Sequence, residues 1–229
     1  MELYYKYQPV TWDIGVIDAH PKAVVESIQP RYISNYELAG IYQVEKSIEE
    51  GLAALGPIGC PAKFLLVETV DGRSALFRNS SAGVVELPTW NASKDLGVSA
   101  YYVCNVPNTI SRNQRSGAYG ARKIEYRTPD TPFNQEPKFG VHLVNDAGKW
   151  CFYRFGERQP FENEKAYKAY KKADRFTVDM LVTYCKELGI PVYDRNWYSD
   201  KAIIIERKLR PDEKGISYAE ARTKLRIDS

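Results

Sequence analysis

The 229 residues carry 32 Lys and Arg against 29 Asp and Glu, a net charge of +3 that excludes a polybasic, histone-like protein and requires any nucleic-acid contact to come from local clusters. A hydrophobic fraction of 44 % on a chain of this length is enough to bury a core and excludes a disordered chain. No apolar run approaches the roughly 18 residues of a membrane span, and the opening MELYYKYQPVTWD is no leader peptide, so the expectation is a cytoplasmic protein with no membrane partner.

Residues 2–8 read as a first strand, and 21–28 as a short helix or an irregular connection. Ser34-Asn35-Tyr36-Glu37 has the form of a capping box, and Leu38, Ile41, Ile48, Leu52 and Leu55 follow at helical spacing, which predicts a helix stopped by Gly56-Pro57. Two strand-like runs, 63–70 and 73–79, flank Asp71-Gly72, a pair suited to a two-residue hairpin turn with positive φ at both positions. An edge strand is assigned to 83–87 and a short strand to 100–105.

The segment Ile110–Arg127 holds Arg112, Arg115, Arg122, Lys123 and Arg127 against one acid, Glu125, with Gly117 and Gly120 flanking Tyr119. Its first half lacks core residues beyond Ile110, so it reads as an exposed glycine-hinged loop leading into a strand over 122–127. On that strand Ile124 and Tyr126 alternate with Lys123, Glu125 and Arg127, so one side is charged. A second hairpin joins 139–145 to 150–155 around Asp146-Ala147-Gly148-Lys149. If Asn145 pairs with Lys149, His142 faces Phe152, and the imidazole and the Cys151 thiol project from opposite sides of the sheet.

Residues 162–173 and 175–188 read as helices; Lys168, Lys171, Lys172 and Arg175 would form a basic face on the first, with Tyr167 and Tyr170 alongside. Leu181, Cys185 and Leu188 line the core side of the second. A buried strand at 202–206 and a terminal helix capped by Ser217-Tyr218-Ala219-Glu220 complete the chain.

Hairpins outnumber strand-helix alternations, so the expected fold is a single α+β domain spanning 1–229, with 106–121 as the point where it could subdivide. Its mainly antiparallel sheet would be built from two hairpins, with helices packed on one face. Cys60, Cys104, Cys151 and Cys185 are widely spaced, without a CxxC or a His pair, and phosphate-loop and dinucleotide fingerprints are lacking, so no metal or cofactor is implied.

Lys and Arg hold phosphates and Tyr stacks bases. These residues therefore point to a non-enzymatic protein that holds nucleic acid through Arg112, Arg115, Tyr119, Arg122, Lys123, Tyr126, Arg127, Lys168, Lys171 and Lys172. An inhibitor or immunity-type protein that blocks a protein partner through its tyrosines is the alternative. A metal-dependent phosphodiesterase using Glu49 or Glu50, Glu68 and Glu125 comes third.

Overall fold

In the computed structural model, which describes residues 1–33, 38–80, 85–110, 116–132 and 134–228 (backbone alone at 32, 33 and 38), nine strands hydrogen-bond into one antiparallel sheet. They are Asp13–Ile17 (β1), Leu38–Glu45 (β2), Lys63–Thr69 (β3), Ser74–Arg78 (β4), Ala100–Val106 (β5), Ala121–Arg127 (β6), Phe139–Asp146 (β7), Lys149–Gly156 (β8) and Tyr198–Arg207 (β9). Their order is β2-β9-β3-β4-β1-β5-β6-β7-β8. The α+β class and the antiparallel sheet are as expected. The two anticipated hairpins, β3–β4 and β7–β8, supply only four of the nine strands.

The helices are Glu2–Lys6 (α1), Pro21–Ile33 (α2), Ile48–Ala54 (α3), Glu86–Leu96 (α4), Glu164–Tyr167 (α5), Val178–Glu187 (α6) and Tyr218–Leu225 (α7). They lie on both faces of the sheet, not one, and strand alternation shows why. On β3, Leu65 and Val67 join a cluster with Leu3, Leu52, Leu181 and Ala221, so α1, α3, α6 and α7 cover this first face. Phe64 and Leu66 point the other way, against Val24, Ile28 and Trp90 of α2 and α4 on the second face. Both sides of the central strands are buried, and helices on both are what keeps them dry. Gly15 on β1 admits α4 at close range: a Cβ there would stand 2.0 Å from Thr89 Oγ1.

Several local expectations give way. Residues 2–6 are helical, with Leu3 and Tyr4 buried, not a strand. Residues 38–45 form edge strand β2 in place of the predicted helix. The helix begins only at Ile48, where Ser47 and Glu50 form the capping box; the box read at 34–37 lies outside the described residues. Of the edge strand read at 83–87, residues 83 and 84 also lie outside them, and Glu86 and Leu87 open α4. The Ser217 box caps α7 as expected. The Asp71-Gly72 turn has positive φ at Gly72 alone (+81°), and Thr69 N–H bonds Arg73 O at 2.9 Å. It is therefore a three-residue loop ending in a left-handed glycine. No helix among the described residues is long and apolar enough to cross a membrane.

Candidate binding surface

The ten residues expected to hold nucleic acid divide among several environments. Arg112 and Arg115 lie outside the described residues. The base of their loop is tightly tied: the N–H groups of Thr109 and Ile110 both reach Ala118 O, and Asn108 Oδ1 accepts from Gly120 N–H and from Asn145 Nδ2. Gly117, at φ +120°, lets the loop close on itself, because a Cβ there would stand 2.9 Å from Ile110 Cα. The two glycines serve a close-packed loop base more than a hinge. Tyr119 remains 47 % exposed.

The β6 residues are largely committed to the fold. Arg122 points into the first face, where Nη1 donates to Phe176 O at 3.0 Å and burial pulls the guanidinium pKa below its ordinary value. Tyr126 stacks on Tyr101 with ring centroids 4.9 Å apart. Lys123 and Arg127 project from the second face. Arg127 lies over the Trp90 ring at 5.2 Å, donates Nε to Glu125 Oε2 at 3.2 Å and Nη1 to Gln135 O at 2.9 Å. Lys123 pairs in register with His142.

The predicted basic helix is not there either. α5 ends at Tyr167, whose hydroxyl meets Tyr184 and whose ring packs on Phe152, and a short 3-10 turn follows at Lys172–Asp174. With the half-buried Tyr167 as its anchor, the Lys- and Ala-rich stretch has no apolar stripe to hold a longer helix on the sheet. Arg175 Nε closes the connection by donating to Ala169 O at 2.9 Å. The turn exposes Lys168, Lys171 and Lys172 around Tyr170, which is 98 % exposed. The nearby acids Glu162 and Glu164 are held by Arg154 and Arg158. Among the described residues no carboxylate pairs with these three lysines. Phe176, buried at the end of this connection, holds Arg122 of β6 through its carbonyl.

A different cluster occupies the second face of β6, β7 and β8, where Arg127 meets Trp90 of α4. The closing pair of the β7–β8 hairpin is Asp146↔Lys149, one residue away from the expected register, so His142 faces Tyr153 and shares its side with Cys151. Glu125, 3 % exposed, places Oε1 2.8 Å from His142 Nε2, within ion-pair distance but off the line of a well-aligned hydrogen bond. Phe155 meets the imidazole edge to face at 5.0 Å. Nothing in a linear reading marks this Glu-His-Arg group, since its members belong to two strands and only their register joins them.

A third group lines a cleft of about 440 Å³ between β2, β9 and the start of α2. Across from Glu68, β9 carries three residues between the partners of Val67 and Thr69, a bulge that brings Lys201 Nζ within 3.6 Å of Glu68 Oε2 while His20 Nε2 lies 3.7 Å from Oε1. Glu68 and Glu125 stand four strand spacings apart, roughly 19 Å. Glu49 lies on α3 against the opposite face, tied to Arg195 at 3.3 Å. The acids that a phosphodiesterase would gather therefore do not meet, and no group of three metal-binding side chains forms among the described residues. No family model, curated protein or solved structure matches the chain.

Proposed function

We propose that this chain is a binding protein for single-stranded nucleic acid, held along the turn of Lys168, Tyr170, Lys171 and Lys172 and extending toward Tyr119. The observation that supports it is Tyr170: a ring 98 % exposed beside Lys168, Lys171 and Lys172, with which no carboxylate pairs among the described residues. An isolated phenol held in water gains nothing for the fold, whereas a base stacked on it gains about 1–3 kcal/mol. The lysines supply the sequence-independent phosphate attraction. Arg122 and Tyr126 are packed beneath the first face and do not touch the strand; Lys123 and Arg127, on the other face, stay clear of it.

Anisotropy of labelled single-stranded RNA and DNA oligonucleotides at low salt tests this. Affinity should fall with a logarithmic salt slope of about −2, as expected for three phosphate contacts on a single strand. Lys168→Glu/Lys171→Glu/Lys172→Glu should remove most of that slope, and Tyr170→Ala should weaken binding roughly tenfold. Failure of both oligonucleotides to bind at low salt, or binding indifferent to the triple reversal, would overturn the assignment.

A further inference from the structure

We propose that Trp150 is a second base-stacking platform of the same surface, so that the ligand is a run of successive unpaired bases crossing β8 from the lysine turn to Tyr119. This placement rests on the phosphate-holding role of Lys168, Lys171 and Lys172.

The first support is the path. The 3-10 turn at Lys172–Asp174 lies against β8, and Tyr167, next to Lys168, packs its ring on Phe152 with centroids 5.0 Å apart. Phe152 pairs in register with Leu143, which sets it on the first face, and Trp150 shares that face two residues earlier, about 7 Å along the strand. Trp150 in turn lies over Gly120: a Cβ there would stand 2.6 Å from Trp150 Cη2, so a side chain would collide with the indole. Gly120 is the neighbour of the exposed Tyr119. β8 therefore carries a row of rings from the foot of the lysine turn to the base of the Tyr119 loop. Glu162, also at the foot of the turn, is neutralised: Arg154 donates to both of its oxygens, at 3.1 and 2.6 Å, and Tyr167 adds a hydroxyl at 3.1 Å.

The second support is the state of the indole. Trp12, Trp90 and Trp197 are 3 %, 6 % and 5 % exposed, whereas Trp150 is only partly buried. Tyr167 covers the Phe152 ring, but no ring packs on Trp150 among the described residues, and its indole N–H meets no acceptor there. An indole open at the surface offers a face for a base and a donor for its edge or its phosphate. Stacking on it needs a base free of its complement, which excludes a duplex, and occupying both Tyr170 and Trp150 needs more than one nucleotide.

Tryptophan emission of the full chain, titrated at low salt with a single strand of about eight nucleotides, tests this. The strand should quench the emission; a duplex of the same sequence, or a mononucleotide at the same concentration, should not. Trp150→Phe, which keeps a ring over Gly120, should abolish the quenching while anisotropy still reports binding. Trp150→Ala should weaken binding roughly tenfold and leave the salt slope unchanged, since it removes no charge. A strand that binds with the expected salt slope yet leaves the emission untouched, or an affinity indifferent to Trp150→Ala, would overturn the platform and leave the lysine turn standing. If no strand binds at all, the lysine turn fails as a site and the platform fails with it.

Discussion

Glu125 is a buried carboxylate held between His142 and Arg127. Burial is the largest influence on its carboxyl and pushes the pKa up, yet His142 and Arg127 together hold it below the ordinary 4.5. The folded state therefore binds this proton less tightly than the unfolded chain does. The stabilisation is complete above the unfolded value near 4.5 and is lost as pH falls through the lower folded value. Glu125→Gln leaves Arg127 without its counter-charge and should lower stability at neutral pH by about 3 kcal/mol. Urea unfolding of both proteins from pH 7 down to pH 3 should show this gap closing only in the acid limb. A gap that stays constant with pH would mean that the loss is one of packing and not of charge.

The hairpins show how much of this fold can be read in a linear sequence and where the reading fails. Both lie where turn residues interrupt alternating runs, and the charged side of β6 is legible in its alternation. The face that His142 occupies depends on a single residue of register, set by the Ala147-Gly148 turn. With φ of +47° and +94°, that turn takes positive φ at both central positions and closes Asp146 on Lys149. Alanine is a poor occupant of a left-handed position, which hides a two-residue turn in the sequence. Ala147→Asn should raise stability by about 0.5–1 kcal/mol and Gly148→Ala should lower it by about 1 kcal/mol, as read from urea midpoints. β2 was illegible for a different reason. Ile41 and Ile48 stand seven apart and satisfy a helical period, yet one belongs to a strand and the other to α3, because partners on β9 decide the conformation of 38–45. The lysine turn fails the same way: its spacing suits a helix face, but nothing apolar recurs to hold one against the sheet.

At the scale of the whole molecule, the order of the strands makes the sheet depend on the C-terminal third of the chain. β9 is inserted between β2 and β3, and among the described residues it is the only strand to which β2 is bonded. Its Ile203 and Ile205 enter the second-face cluster while Ala202 and Ile204 enter the first, so one strand seals both cores. Such pairings close loops of well over a hundred residues before any contact rewards them, which delays β2 and β9 until the rest of the sheet has formed. A chain ending at residue 196 would keep the central strands β3, β4, β1 and β5 but leave Phe64, Leu65 and Leu66 against water along an open edge, with β2 unpaired. It should retain strand signal in the far-ultraviolet, bind a hydrophobic dye, and lose the steep urea transition of the full chain, because the apolar area released on unfolding sets that slope. A truncated chain that unfolds with the full-length slope would show that the central strands form a cooperative unit without β9.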